Sequence, residues 1–168
     1  MRDSVLAVMA ILLLSCCRLP SPDELEVGDR MPSFSVTASD GTVITGDSLS
    51  QGCALVGFFN TACPDCRVEL DVLQEFWDRY SPEVSFVLVS REEGEDSVAA
   101  YWEVHGYDMP YAAQTGRGAY SHFSSSGIPK VYMAVDGRIL AVYGDDPVAT
   151  LEDLEFIVEY HRHWRGWL

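Results

Sequence analysis

Residues 54–66, ALVGFFNTACPDC, join a short apolar run to a pair of cysteines. The run at residues 54–59 is uncharged and ends at turn-forming residues, which is typical of a strand buried on both faces. After it, Cys66, Leu70 and Leu73 recur at the spacing of one face of a helix. The sequence therefore predicts that the two cysteines lie where a buried strand gives way to an amphipathic helix.

The position of the two cysteines predicts a redox centre. Cys63 falls at the helix N-terminus, where free N–H groups and the positive end of the helix dipole favour a thiolate, so it is the expected nucleophile. Pro64 suits the first helical turn, because its missing N–H has no partner there. Cys66 lies one turn later on the apolar stripe, which indicates a buried, protonated thiol placed to attack a mixed disulfide on Cys63.

Two other interpretations of this pair remain open from the residues alone. The cysteines could form a structural disulfide, or they could be half of a zinc site. Zinc would require a second Cys or His pair at comparable spacing. The remaining candidates are Cys53 and scattered histidines, which do not have that spacing.

Composition indicates one globular domain, since the chain has 168 residues, of which 48% are hydrophobic and 22% are charged. The net charge is -15, from 26 acidic and 11 basic residues. This charge argues against nucleic acid and anionic membrane surfaces as partners.

Ten apolar residues, 5–14, follow Arg2; they are too few to cross a bilayer about 30 Å thick and fit a secretory signal. The run ends in Leu13-Leu14-Ser15-Cys16, which resembles the signal of a bacterial lipoprotein, where a small residue precedes the lipidated cysteine. Residues 1–15 are the predicted signal peptide, and Cys16 is the predicted lipid attachment site. Cys17 is the alternative site, and an uncleaved anchor or a soluble secreted product are alternatives to lipidation.

Beyond the signal, residues 16–26 are predicted to be an extended tether, and residues 27–168 the folded domain. Lipid-anchored or secreted, the domain would lie outside the cytoplasm, where disulfide chemistry has substrates. Periodicity and turn residues predict further elements of the domain: a hairpin at 34–45, strands at 84–89, 109–113, 131–135 and 139–143, helices at 95–105 and 116–123, and a last helix capped by Asp146-Pro147.

Glu69 is a candidate proton-transfer residue. It lies three residues after Cys66, at the edge of the apolar face, where a carboxylate is placed to take or give a proton; an ordinary surface glutamate is the alternative. On the same helix, Arg67 and Asp71 have the i,i+4 spacing of a surface ion pair.

Cys53 opens the buried strand, roughly 20 Å from its other end, so it cannot form a disulfide with Cys63. It is predicted to be a small buried hydrophobic residue rather than a third redox thiol. Pro129 directly precedes a strand, where a proline is either an edge residue or part of a turn, which can be cis.

These features together resemble the thioredoxin superfamily, and within it the membrane-tethered TlpA/ResA-like branch. The resemblance rests on the Cys-Pro-Asp-Cys motif after a buried strand, Glu69 three residues later, Gly-Ile-Pro before a strand, the N-terminal hairpin and the extra helix and strand. It implies an α/β thioredoxin-like fold, a central mixed sheet flanked by helices with a β-hairpin and a helix–strand insertion. It also implies that Cys63 attacks, Cys66 resolves, Glu69 tunes the thiols and a cis Pro129 presents the Ile128 backbone to substrate.

The resemblance implies a thiol–disulfide oxidoreductase that acts on extracytoplasmic proteins, with no cofactor beyond its own dithiol. Its partners would be protein thiols or disulfides, an upstream redox donor and, through the N-terminal lipid, the periplasmic side of a bacterial membrane. Two alternatives differ in class: a non-catalytic binding module with a structural disulfide, and a thiol peroxidase. Peroxiredoxin-like relatives carry Thr three residues before their reactive Cys, where this chain has Asn60.

Overall fold

Five strands form the central sheet, in the order β5-β4-β3-β6-β7. The computed structural model describes residues 24–165. Two further strands, β1 and β2, form a separate antiparallel hairpin. The elements in chain order are β1 (Ser35–Thr37), β2 (Val43–Thr45), β3 (Cys53–Phe59), α1 (Pro64–Tyr80), β4 (Ser85–Ser90), α2 (Glu95–His105), β5 (Tyr111–Ala112), a 3₁₀ turn (Tyr120–His122), β6 (Lys130–Val135), β7 (Arg138–Tyr143) and α3 (Leu151–Arg165).

β3 is the middle strand, and all seven of its residues are buried. It runs parallel to β4 and antiparallel to β6, with Phe58 opposite both Val89 and Lys130. The carboxyl ends of β3 and β4 and the start of β6 therefore lie at the same end of the sheet. The loops that follow residues 59 and 90, and the loop that precedes residue 130, come together there.

Alternate residues of β3 belong to two apolar clusters, as expected of a strand covered on both faces. Leu55 and Phe59 lie in a cluster to which all three α-helices contribute; its helical members include Leu70, Leu73, Phe76, Val98, Trp102, Leu154 and Val158. Val56 and Phe58 lie in a second cluster with the hairpin and the 3₁₀ turn; its members include Phe34, Val36, Tyr120, Phe123 and Tyr132. The sheet is thus mixed and flanked by helices, as predicted.

Two sequence-based boundaries are wrong. The last helix does not begin at Asp146-Pro147; it begins at Leu151, and its cap is Thr150, whose hydroxyl accepts a hydrogen bond from the N–H of Asp153 at 3.2 Å. Within residues 116–123, where a helix was predicted, only a single 3₁₀ turn forms, at Tyr120–His122, because that stretch contains two glycines and too few periodic apolar residues. The bounds predicted for the helix at 95–105 are confirmed, and it ends at Gly106 with a left-handed φ of 70°.

The described chain begins beside the loop that precedes β6. Glu24 forms an isolated bridge with Ser124, and the N–H of Leu25 donates to the carbonyl of Phe123 at 2.8 Å. Residues 24–26 of the predicted tether therefore lie on the domain; residues 1–23, including the predicted signal peptide and Cys16, lie outside the described part. Among the described helices, none combines the length and apolar character needed to cross a bilayer.

Candidate active site

Cys63 is the N-cap residue of α1. Its backbone is extended, with φ -81° and ψ 121°, and Pro64 follows as the first helical residue. The N–H of Cys63 donates to the carbonyl of Asn60 at 3.0 Å, and its own carbonyl accepts from the N–H of Arg67 at 3.2 Å. The side chain is half-buried. Cys63 thus stands at the start of the helix, as predicted, with its thiol partly accessible to solvent.

The loop before β6 faces this thiol. The Cys63 Sγ lies 3.8 Å from the carbonyl oxygen of Ile128, within hydrogen-bonding range for a sulfur donor. The Ile128–Pro129 peptide bond is cis, as expected from the sequence. The loops at residues 60–63 and 127–129 therefore face each other across this contact, and we refer to them as the two walls of the active-site cleft.

Cys66 is fully buried behind Cys63, at 0% exposure. Burial raises the pKa of the Cys66 thiol, and the hydrogen bond with Cys63 and the nearby charge of Glu69 raise it further. A buried, protonated thiol in contact with the accessible one is the arrangement that a resolving cysteine requires. It must lose its proton before it can attack.

Glu69 is buried at 2% exposure, which excludes the surface alternative. Burial raises its pKa from 4.5 to about 7, although the N–H of Ala149, which donates to Oε1 at 3.1 Å, lowers it in part. Because Cys66 and Glu69 are three residues apart on α1, they lie on the same side of the helix. The site thus pairs a protonated thiol with a carboxyl group that titrates near neutral pH.

Cys53 lies at the opposite end of β3 and is 1% exposed. Burial, and secondarily the charge of Glu83, raise its pKa to about 12. Its thiol is free. Cys53 is therefore separated from the cleft by the length of the strand, as the sequence predicts.

The predicted surface pair of Arg67 with Asp71 is wrong. Arg67 Nε instead donates to the carbonyl of Thr61 at 2.6 Å, and Asp71 accepts from the hydroxyl of Tyr107. The ion pair does not form because the loop before α1 folds back over the first turn of that helix, so that the Thr61 carbonyl oxygen lies within hydrogen-bonding distance of Arg67. The backbone of Thr61 lies only two residues before Cys63.

Sequence reasoning also missed two residues that follow β4. Glu93 binds Thr61, and Arg91 donates to the carbonyl of Gly127 at 3.4 Å. The order of the strands could have indicated these two residues, because side chains at the carboxyl ends of neighbouring parallel strands meet at the same end of a sheet. Within residues 24–165, no group of three or more His, Cys, Asp or Glu side chains is placed to hold a metal ion.

The chain is similar to proteins that are named for thiol–disulfide exchange. A protein named thiol-disulfide oxidoreductase ResA, from Bacillus thuringiensis (strain Al Hakam), is 21% identical over 133 residues, 77% of each chain. A solved thiol:disulfide interchange protein of the thioredoxin family, from Chlorobium tepidum TLS, is 25% identical with a TM-score of 0.64, covering 82% of this chain and 98% of that one. StoA from Bacillus subtilis is 21% identical with a TM-score of 0.63, covering 75% and 96%.

The solved structures show that the fold is thioredoxin-like. The model of the AhpC/TSA family matches residues 27–141, which include the cleft, both cysteines and most of the sheet. This match covers more than half of the sequence, so the chain belongs to the AhpC/TSA family.

Proposed function

We propose that this chain is a lipid-anchored thiol–disulfide oxidoreductase that acts on protein substrates outside the cytoplasm. The main support for this proposal is that the two thiols lie together in different environments, one partly accessible and one fully buried. Cys63 stands half-buried at a helix N-terminus, 3.8 Å from the Ile128 carbonyl oxygen, and the fully buried Cys66 lies behind it. The names of the relatives from Bacillus thuringiensis and Chlorobium tepidum support the same activity.

The exchange proceeds in two steps. The Cys63 thiolate attacks one sulfur of a substrate disulfide; a Cys63–substrate disulfide forms, the substrate S–S bond breaks, and the released thiolate takes a proton. Cys66 then gives up its proton and attacks the Cys63 sulfur, which forms the Cys63–Cys66 disulfide and releases the second substrate thiol. The substrate gains two electrons, which the dithiol loses, and a dithiol donor restores the enzyme by the reverse sequence.

Glu69 is the proposed proton acceptor for the second step. Its carboxyl group ionises at about pH 7 and lies on the same side of α1 as Cys66, whose pKa is raised. In the ionised form it can take the proton that Cys66 must lose, as a general base. The reverse reaction uses the same group as an acid.

The Glu69→Gln variant tests this role. With the wild-type residue, the rate of resolution should rise with pH through about 7, because only ionised Glu69 accepts the proton. The variant should resolve more slowly, by about 10², and should lose that step in the pH profile, while the initial attack by Cys63 is unchanged. Rapid-mixing measurements of single turnover separate the two steps, and an unchanged profile for resolution would remove Glu69 from the mechanism.

The cleft wall at Ile128 suits an extended substrate chain. The backbone of Ile128 precedes β6 and faces Cys63, so a substrate segment lying along it can form main-chain hydrogen bonds like an added strand. Such bonds depend little on side chains. This arrangement favours protein substrates of varied sequence.

The proposed anchor is a lipid on Cys16, and Cys17 is the alternative. The Cys16→Ser and Cys17→Ser variants distinguish the two sites, because the variant that lacks the modified residue should move from the membrane fraction to the soluble fraction. If both variants stay in the membrane fraction, lipidation at these positions is wrong. Metabolic labelling with a radioactive fatty acid supplies an independent readout.

The decisive test of the activity is a trapping experiment. In the Cys66→Ser variant, the mixed disulfide on Cys63 has no resolving thiol, so covalent complexes with other proteins should accumulate in cells. The complexes should be absent from the Cys63→Ser/Cys66→Ser double variant and should persist when Cys53 is also replaced. Mass spectrometry then identifies the substrates.

Other outcomes favour the alternatives. If no complex forms, the pair is a static bridge of a binding module, and its reduction potential should then lie below about -300 mV. If the purified protein turns over hydrogen peroxide, and the turnover depends on Cys63, the thiol peroxidase alternative replaces the exchange activity.

A further inference from the structure

The loop that leads into Cys63 is held by a carboxylate from another strand. Glu93 Oε2 accepts from the N–H of Thr61 at 2.8 Å, and Glu93 Oε1 accepts from the Thr61 hydroxyl. The remaining polar group of Thr61, its carbonyl, accepts from Arg67 Nε at 2.6 Å. Thr61 is buried at 9% exposure. All three polar groups of the residue are therefore bonded, two of them by Glu93, which fixes the chain two residues before the nucleophile.

The opposite wall of the cleft is held by Arg91, which lies two residues before Glu93 in the chain. Its Nη1 donates to the carbonyl of Gly127 at 3.4 Å, and its guanidinium lies 5.3 Å from the centre of the Tyr120 ring. The hydroxyl of Tyr120 donates to the same Gly127 carbonyl at 2.5 Å. That carbonyl belongs to the peptide bond that enters Ile128. Arg91 and Tyr120 together therefore fix the wall that faces Cys63.

Residues 91–93 are themselves anchored at the end of β4. The N–H of Arg91 donates to the carbonyl of Phe59 at 2.7 Å, and the amide of Asn60 donates to the Arg91 carbonyl at 3.1 Å. Between the two side chains, Glu92 has a left-handed φ of 61°, an uncommon backbone for a residue other than glycine. The backbone therefore holds both Arg91 and Glu93 against the cleft from one short segment.

We propose that Arg91 and Glu93 are positioning residues that clamp the two walls of the cleft at a fixed separation. This inference rests on the proposed exchange activity. A protein substrate must lie along Ile128 while its sulfur is in line with Cys63, so its reaction depends on how the walls are placed relative to each other. A small disulfide needs only the thiolate. The clamp therefore supports attack on protein disulfides and contributes little to attack on small ones.

The test compares Glu93→Ala and Glu93→Gln with two substrates, a disulfide-bonded protein and the neutral 2-hydroxyethyl disulfide. Glu93→Ala should lower kcat/KM for the protein substrate by about 10²-fold and change kcat/KM for the small disulfide far less. Glu93→Gln should restore most of the loss, because its amide oxygen can accept from the Thr61 N–H and its amide nitrogen can donate to the hydroxyl.

Glu95 supplies the matched controls. It also bonds a hydroxyl, that of Tyr111 at 2.7 Å, but it contacts neither wall of the cleft. Glu95→Ala and Glu95→Gln should leave both substrates at wild-type rates. If Glu93→Ala fails to fold, Thr61→Val removes the hydroxyl bond at similar volume and should show the same preference for the small disulfide, and Thr61→Ser should restore the protein reaction.

Three results would overturn the clamp: equal loss for both substrates, no loss with Glu93→Ala, or a Glu93→Gln variant as impaired as Glu93→Ala. The last result would mean that the charge of Glu93, rather than its hydrogen bonds, affects the thiol. A wild-type protein that exchanges neither disulfide would instead contradict the proposed function itself.

Discussion

Glu69 combines burial with an ionisable group, so it couples stability to pH. Burial raises its pKa from 4.5 to about 7 on folding, which means that the folded protein binds the proton more tightly than the unfolded chain. Protonation of Glu69 therefore stabilises the folded state. This stabilisation is complete below pH 4.5 and is lost as the pH rises through 7. The shift corresponds to about 3 kcal/mol.

The Glu69→Gln variant should therefore gain stability relative to the wild type as the pH rises. The difference in the free energy of unfolding, variant minus wild type, should increase by about 3 kcal/mol between pH 4 and pH 8. Gln keeps an acceptor for the N–H of Ala149, so the comparison isolates the charge. Urea unfolding of both reduced proteins at several pH values measures the difference, and a constant value would show that the pKa of Glu69 is not raised.

Cys53 is expected to be inert in the folded protein. It is 1% exposed and burial raises its pKa to about 12, so it should not react with a thiol reagent at pH 8 under conditions in which Cys63 is modified. The Cys53→Ala variant should lose roughly 1 to 2 kcal/mol of stability through the small cavity and keep its exchange rate. Labelling of Cys53 at the rate of Cys63 would contradict its placement in the core.

The residues predicted from sequence differ in kind from those that were missed. Cys66 and Glu69 lie on one helix and Cys63 is its N-cap residue, so local spacing was enough to place the three relative to one another. The contacts of Thr61 with Glu93 join residues 32 positions apart. They depend on the register of β3 against β4, which periodicity alone does not determine.

At the scale of elements, α3 shows why its predicted start was wrong. Asp146-Pro147 has the composition of a cap, but Thr150 and Asp153 form a reciprocal pair in which each side chain accepts the other's N–H at 3.2 Å. A capping pair satisfies two free N–H groups, so it defines the helix start better than a single Asp-Pro step does. The N–H of the preceding Ala149 then remains free to reach Glu69.

Thr150→Ala should destabilise the protein by about 1 kcal/mol, because the first turn of α3 loses its acceptor. Thr150→Ser keeps the hydroxyl and should cost much less. Thermal unfolding of the three proteins measures the effect. Equal melting temperatures for Thr150→Ala and the wild type would show that the pair does not determine the start of α3.

At the scale of the whole molecule, the buried run and the helical periodicity predicted the central strand β3 and the helix α1 that follows Cys63. The mixed sheet was expected only from the family resemblance, and the strand order was not predicted. The cleft could not be predicted from buried runs and periodicity, because it forms where three loops from different parts of the chain meet. Its geometry comes from the register of Phe58 with Lys130 and with Val89, which brings Ile128, two residues before β6, against the N-terminus of α1. A one-residue slip of either pairing would move Ile128 or Glu93 away from Cys63.

The net charge of -15 predicts how the reaction depends on salt. A strongly acidic protein attracts basic partners over distances comparable to the Debye length, and salt screens that attraction. The value of kcat/KM for a basic disulfide-bonded protein should therefore fall roughly tenfold between about 20 mM and about 500 mM salt. An acidic protein substrate should react faster as salt is added, since the repulsion weakens, and 2-hydroxyethyl disulfide should show little change. The same salt dependence for all three substrates would mean that the charge acts on the fold or on the thiols rather than on encounter.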